Sequence, residues 1–184
     1  SAWLVETGGH RILLDAGTCP GVEGRAGLPL YSQVAEQDVD AIAISHCHQD
    51  HCGSLPVALR HFPQARVLMT EPSYFLIERV LHNSVNVMKR QRAERNIPDY
   101  PLFHHNEVDE FSYLFQGFKY GKPEPWSPVR PGTADEPPPT VSFHPAGHVL
   151  GSAGLRVAHG RESLFYTGDV SYHHYWCQKK ADFS

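Results

Sequence analysis

The chain has 184 residues, which is enough for one domain with its own hydrophobic core or for part of a larger domain. Its 20 acidic residues outnumber its 16 Lys and Arg residues, and the net charge of −4 lacks the basic excess of proteins that bind nucleic acids through their overall charge. No apolar run reaches the ~18 residues that a membrane span requires, so we expect no membrane insertion.

Residues 1–95 predict a hairpin followed by alternating strands and helices. The β-forming runs 2–7 and 11–17 flank Gly8 and Gly9, which suit a tight turn. Strands are then predicted over 39–45 and 65–70, and helices over 31–38, 54–62 and 71–95. The last helix carries apolar residues at five positions: Phe75, Ile77, Val80, Leu81 and Val85. This alternation favours a layered α/β (α+β) fold.

The second half of the chain predicts fewer helices and more strands. A short helix is predicted over 108–115. The proline-rich segment 122–139 is predicted to be a surface loop, because proline cannot continue a helix or a central strand. Three strand-like runs follow over 140–147, 154–160 and 163–169.

The stretch "SHCHQDHCG", residues 45–53, concentrates metal-binding side chains directly after a predicted strand. His46 and His48 are two residues apart, so their side chains point the same way in an extended chain. Asp50 and His51 follow where the chain turns towards a helix, which indicates a second ion beside the first. A surface turn of solvated histidines and a zinc knuckle through two cysteines are the competing interpretations. The spacing of these cysteines is unsuited to paired ligands.

Two further residues are candidates for the same site. His148 lies in a glycine-flanked turn, "PAGHVLGS", and Asp169 ends the apolar run "LFYTGD". Side chains in such positions are often functional because loops present them on a rigid scaffold. Imidazole and carboxylate are ligands for zinc, and also for manganese or iron.

In this order, "LLDAG", "SHCHQDH", "AGHVLGS" and "YTGDVS" resemble the metallo-β-lactamase fold superfamily from Leu13 to Ser171. The resemblance implies an αββα sandwich with the metal ions at one edge, between the sheets. It implies that one ion is held by His46, His48 and His148. It implies that the second ion is held by Asp50, His51 and the bridging Asp169. Asp15 matches an aspartate that supports the site and does not usually bind metal.

The segments "HQDHCGSLP", "AGHVLGSAG" and "FYTGD" are similar to the β-CASP branch of this superfamily, which contains RNA-processing nucleases. This implies a metal-dependent hydrolase that cleaves single-stranded RNA, as an endonuclease or a 5′-exonuclease, with hydroxide generated by two zinc ions. Asp50 and His51 would take part in catalysis. A homodimer or an RNA-processing complex would be compatible with this function. The rival hypotheses are a small-molecule ester, thioester or lactone hydrolase of the same fold, and a catalytically silent RNA-processing scaffold subunit.

In this superfamily the last metal ligand, and in the β-CASP branch a cap domain, follow the "GD" motif. The sequence ends at Ser184, so we expect residues 1–184 to form a partial domain without the cap and the last strands. His173 and His174 could replace the missing ligand, but a solvated pair is the preferred interpretation.

The cysteines and the first residues of the chain indicate the cellular compartment in which the protein is expected. The four cysteines include no CxxC pair and do not suggest a secreted disulfide framework. The chain does not open with the pattern of a signal peptide. We therefore expect a cytoplasmic protein, or a nuclear one in a eukaryote, and we expect Cys47 and Cys52 to pack as small apolar residues.

Overall fold

A computed structural model describes residues 1–34, 39–127, 137–174 and 179–183. Five strands form the first sheet in chain order: β1 (Trp3–Thr7), β2 (His10–Leu14), β3 (Ala41–Ala43), β4 (Arg66–Thr70) and β5 (Phe115–Phe118). β1 and β2 are antiparallel and the remaining pairs are parallel. Gly8 and Gly9 have φ angles of 54° and 74° in the tight turn, which confirms the predicted hairpin.

The second sheet is antiparallel throughout. It consists of β6 (Glu124–Pro125), β7 (Thr140–Pro145), β8 (Ala153–His159) and β9 (Glu162–Tyr166), also in chain order. The helices are α1 (Gln49–Cys52), α2 (Leu55–His61), α3 (Glu71–Arg95) and α4 (His105–Ser112), with short 3₁₀ turns at Gly24–Gly27 and Tyr31–Gln33.

The first sheet separates two hydrophobic cores because successive residues of a strand face opposite sides. On β2, Leu13 packs with the helices, whereas Ile12 and Leu14 pack against the second sheet. All four α-helices contribute to the core between the helices and the first sheet. Phe143 and Leu155 of the second sheet contribute to the core between the two sheets. The α/β prediction is therefore confirmed as three layers: helices, first sheet and second sheet. Among the described residues no helix covers the outer face of the second sheet.

The long helix α3 begins and ends as predicted, and only part of its apolar set is buried. The Thr70 side chain accepts a hydrogen bond from the Ser73 amide at the start, and Asn96 ends the helix with a left-handed φ of 54°. Of the apolar residues noted in the sequence, Ile77, Leu81 and Val85 are buried. Phe75 is 69% exposed. Positions 77, 81 and 85 form one i, i+4 row, and residue 75 does not lie on it.

The helix predicted over 108–115 begins and ends three residues earlier, at His105–Ser112. His104 and Glu107 form a reciprocal capping box that fixes its start. Phe115 is then free to enter β5, where it pairs with Val67 and becomes buried. The strand Phe115–Phe118 was not predicted.

The proline-rich segment is only partly the surface loop that the sequence predicts. The segment 122–139 was predicted to be a surface loop throughout, yet Glu124–Pro125 pairs with β7 and the Trp126 side chain is fully buried between the sheets. Residues 128–136 of that segment, and residues 35–38 of the helix predicted over 31–38, lie outside the described residues. Within the described parts of the chain, no helix has the length and apolar character to cross a membrane.

Candidate metal centre

Six of the predicted site residues meet where strands of both sheets end. His46 and His48 follow β3, and α1 carries Asp50 and His51. His48 is extended, with φ −72° and ψ 150°, immediately before the helix begins. The remaining two residues come from the second sheet: His148 from the loop between β7 and β8, and Asp169 from the segment after β9.

Three imidazoles and one carboxylate form the first cluster. Nδ1 of His48 lies 3.2 Å from Nε2 of His46 and 3.1 Å from Nε2 of His148. Oδ2 of Asp169 lies 3.5 Å from Nε2 of His148 and 3.9 Å from Nε2 of His46. The four ligand atoms all lie within 4.8 Å of one another, which is close enough for one ion to reach them all.

The second cluster shares Asp169 with the first. Nε2 of His51 lies 3.5 Å from Oδ2 of Asp50 and 3.4 Å from Oδ1 of Asp169. Asp169 therefore directs Oδ2 to the first cluster and Oδ1 to the second, the orientation expected of a bridging carboxylate. About half of its side chain, 46%, is exposed, so the centre is open to solvent on this side.

Asp15 lies behind the two clusters and is completely buried. Its Oδ1 accepts a hydrogen bond from the Ser45 amide at 2.7 Å. Its Oδ2 accepts hydrogen bonds from Ser45 Oγ at 2.8 Å, His51 Nδ1 at 2.7 Å and the Tyr166 hydroxyl at 2.8 Å. Asp15 adopts a left-handed φ of 63°, a conformation that aspartate tolerates better than most side chains. It supports the clusters through hydrogen bonds and does not belong to either of them.

These hydrogen bonds determine which nitrogen of each ring faces the cavity. The His51 Nδ1–H donates to Asp15, so its Nε2 points to the second cluster. The Ser45 hydroxyl donates to Asp15 and can therefore accept from Nδ1–H of His46 at 3.0 Å. Nε2 of His46 is then free of hydrogen. Such bonds to the far nitrogen are typical of metal-binding histidines.

The protonation of His46 and His148 also suits a metal ion, because burial favours their neutral rings. Burial, followed by the neighbouring His51, lowers the pKa of His46 to about 3. Burial likewise lowers the pKa of His148. For His51 burial also acts to lower the pKa, but the hydrogen bond and charge of Asp15, together with the other carboxylates, outweigh it and raise the pKa. One hydrogen cannot bridge the three nitrogens of the first cluster, whereas a divalent cation can bind all three electron pairs, so the donor set fits a metal.

The two cysteines near the motif take no part in these clusters. Cys52 is fully buried and donates from Sγ to the Cys47 carbonyl at 3.3 Å. Burial raises the pKa of both thiols, which keeps them protonated and unsuited to binding metal. This arrangement agrees with packing and disfavours a zinc knuckle. His173 and His174 are exposed, and neither belongs to a candidate ligand group among the described residues.

Several supporting residues were not found from the sequence. Ser152 Oγ accepts hydrogen bonds from the His148 and Val149 amides and so shapes the loop that carries His148. The Gly151 carbonyl accepts hydrogen bonds from the hydroxyls of Thr70 and Ser73, at 2.7 and 3.1 Å. Ser45, Ser152 and Tyr166 lie beside the motifs and could have been considered. Thr70 and Ser73 are about 80 positions away from that loop, and only the fold brings them together.

Comparison with known proteins identifies the superfamily of this chain. The family model described as the metallo-beta-lactamase superfamily matches residues 1–176. The chain belongs to the metallo-beta-lactamase superfamily. A solved metallo-beta-lactamase from Cronobacter sakazakii, with mutations in its HARLDQ motif, is 19% identical and superposes with a TM-score of 0.55 over 90% of this chain and 56% of that one. At this identity the likeness shows the fold alone.

Two relatives within this superfamily have names that mention RNA cleavage. "Endoribonuclease YSH1" of Gibberella zeae is 30% identical over 93% of this chain and 19% of its own length. "Ribonuclease TTHA0252" of Thermus thermophilus is 34% identical over 92% of this chain and 35% of its own length. The chain therefore spans about a fifth to a third of these two relatives.

Proposed function

We propose that this chain carries the metal centre of an RNA nuclease of the β-CASP branch, dependent on two zinc ions. The observation that carries the proposal is the orientation of Asp169, whose carboxylate presents one oxygen to each of two ligand clusters. The names of the two relatives favour RNA over a small ester as the substrate.

The proposed ligands follow the two clusters. One ion would be held by His46, His48, His148 and Asp169. The other would be held by Asp50, His51 and the same Asp169. Zinc is preferred because three imidazoles and a carboxylate are a ligand set typical of it, although manganese or iron would accept the same residue types.

Two bound zinc ions supply the Lewis acidity that activates water for attack on phosphorus, and the positive charge that an acidic chain lacks opposite the phosphate oxygens. The residues of the chain prepare the site for this chemistry. Asp15 and Ser45 keep the cavity-facing nitrogens of His51 and His46 free of hydrogen. Asp50 and His51 act in catalysis by holding the second ion beside the first. The exposed side of Asp169 leaves room for an extended substrate such as single-stranded RNA to approach.

The proposal is tested with the protein expressed from its complete reading frame and assayed on end-labelled single-stranded RNA. Cleavage should stop on addition of a zinc chelator and return when zinc is restored. Asp169→Asn should be inactive, whereas His173→Ala, which changes an exposed histidine outside both clusters, should cleave like the wild type. Cleavage that survives chelation, or hydrolysis of lactones and thioesters without RNA cleavage, would overturn the proposal.

We further propose that the protein acts in a reducing compartment, the cytoplasm or a eukaryotic nucleus, as a homodimer or within an RNA-processing complex. Support for the compartment comes from Cys19, Cys47 and Cys52, which are free thiols. Alkylation of the native protein from cell extracts should label exposed Cys19 without prior reduction.

A further inference from the structure

A second group of metal-binding side chains lies between α3 and α4, and none of its members belongs to the centre described above. Glu78 and His82 are four residues apart on α3, and His105 and Asp109 are four apart on α4. Residues four apart lie on one face of a helix, so each helix contributes one such pair. The rings of His82 and His105 stack, with centroids 5.1 Å apart and planes inclined by 22°.

Three of these side chains converge on one point. Nε2 of His82 lies 3.2 Å from Oδ1 of Asp109. A carboxylate oxygen of Glu78 joins them, and the three ligand atoms all lie within 4.8 Å of one another. One imidazole nitrogen and two carboxylate oxygens are ligands that zinc accepts, with water in the remaining position.

The other nitrogen of His82 begins a hydrogen-bonded chain. Nδ1 of His82 lies 2.8 Å from Nδ1 of His105, and Nε2 of His105 lies 3.1 Å from Oδ1 of Asn86. Because the Asn86 oxygen only accepts, Nε2 of His105 carries a hydrogen. A neutral His105 then has an electron pair on Nδ1 and accepts from Nδ1–H of His82.

This chain fixes the tautomer of His82. With its hydrogen on Nδ1, a neutral His82 presents a bare electron pair on Nε2 to the Asp109 carboxylate, 3.2 Å away. Two electron pairs at this distance repel each other, and a cation between them turns the repulsion into attraction. A metal-binding histidine commonly donates its far N–H to an acceptor, as His82 does to His105.

From this arrangement we infer that Glu78, His82 and Asp109 bind one zinc-type divalent cation, with His105 and Asn86 holding the His82 ring in position. The ion links α3 to α4. Glu78 and Asp109 are exposed and His82 is about a quarter exposed, so the ion reaches the site directly from solvent.

The position of the ion is tested by crystallising the protein with zinc and collecting data at the zinc absorption edge. An anomalous difference peak is expected between Glu78, His82 and Asp109, separate from any peak near Asp169. A map with zinc peaks near Asp169 and none between α3 and α4 would overturn the inference.

Metal counting gives an independent test with matched controls. After equilibrium dialysis against zinc, Asp109→Asn and Glu78→Gln should each bind one zinc ion fewer per chain than the wild type. Their controls are Glu110→Gln on α4 and Glu94→Gln on α3, which change exposed acids of the same helices outside the group. The controls should retain the wild-type count.

Circular dichroism of each variant verifies that the helices are intact, as expected for substitutions of exposed side chains. An unchanged zinc count in Asp109→Asn and Glu78→Gln would mean that a hydrogen on Nε2 of His82, rather than a metal ion, joins it to Asp109, and would overturn the inference. An equal loss in the control variants would overturn it as well.

Discussion

Nδ1 of His51 lies 2.7 Å from Oδ2 of Asp15, and both side chains are buried. Because this nitrogen donates to Asp15, the other nitrogen of the ring is directed to Asp50 and Asp169. Asp15 therefore controls the second cluster through His51 without belonging to it. We therefore expect an aspartate directly after β2, far from the histidine motif in sequence, to influence metal binding.

Replacing Asp15 with Asn should weaken binding of the second metal ion by roughly 10- to 100-fold, since partners of metal-binding histidines have effects of this size. The amide keeps the shape of the carboxylate but loses its charge and one acceptor atom. Zinc affinity is measured by competition with a chelating dye. Wild-type affinity in Asp15→Asn would contradict this role.

Tyr166→Phe is the control for that experiment. It removes a different donor to the same carboxylate oxygen and leaves the bond to His51 in place. We expect a loss of about 1 kcal/mol in the free energy of unfolding, as for a typical buried hydrogen bond, with a smaller change in zinc affinity.

Single-ligand variants should separate the two ions. His48→Ala should lose the ion of the first cluster and Asp50→Ala the ion of the second, because each belongs to one cluster only. Asp169→Ala should weaken both, since its two oxygens face different clusters. Elemental analysis after dialysis at several zinc concentrations gives the number of zinc ions bound per chain.

The matched control for these variants is His173→Ala, which should retain the wild-type count. Loss of zinc in this variant would indicate that His173 is a metal ligand. Retention of both ions by Asp169→Ala would disprove the bridging arrangement.

Gly151→Ala should destabilise the loop that carries His148. Gly151 has a φ of 84°, and a Cβ atom there would lie 2.7 Å from the Ser73 amide nitrogen and 3.0 Å from Thr70 Oγ1. The left-handed conformation costs an alanine about 1 kcal/mol, and overpacking typically adds about 1–3 kcal/mol. Denaturant unfolding measures the total loss in the free energy of unfolding. The zinc affinity of the first cluster should also decrease in this variant.

Gly160→Ala separates the conformational cost of a positive φ from the cost of the steric contact. Gly160 also has a positive φ, 57°, but a Cβ atom there meets nothing within 4 Å. We expect only the conformational cost of about 1 kcal/mol and unchanged zinc affinity. Equal losses in the two variants would show that contact with Thr70 and Ser73 is unimportant.

Four ligands, His46, His48, Asp50 and His51, could be predicted from sequence because their residue types are chemically distinctive and they lie close together in the chain. His148 and Asp169 are about 100 positions away, and only the resemblance to the superfamily joined them to the motif. His46 and His48 share a direction simply because the chain between them is extended. The fold class was predictable for a similar reason, since strands and helices have different apolar periods. Phe75 shows the limit of this reasoning: an apolar residue on a helix is exposed when it lies off the buried row.

The supporting contacts could not be predicted because they join distant parts of the chain. Nothing in the segment around Thr70 indicates that its hydroxyl will bind the Gly151 carbonyl, 81 positions later. The strand β5 was missed because the capping box at His104 and Glu107 moved the preceding helix towards the N-terminus. The ends of a helix depend on side-chain hydrogen bonds, and the spacing of apolar residues carries no information about these bonds.

Trp126 offers a test of how the proline-rich segment is anchored. Its ring is fully buried between the two sheets, and its backbone amide donates to the Pro139 carbonyl. Trp126→Ala should cost about 3–5 kcal/mol of unfolding free energy, the usual range for a large buried aromatic side chain. The indole Nε1–H has no hydrogen-bond partner among the described residues, so the ring contributes by packing.

Trp126→Phe should therefore cost much less, under about 2 kcal/mol, because it removes the unpaired buried donor while it keeps an aromatic ring in the core. Denaturant unfolding of both variants gives the comparison. A phenylalanine variant as unstable as the alanine variant would mean that the indole N–H is bonded in the folded protein. Trp126 would then be held by a polar contact as well as by the packing of its ring.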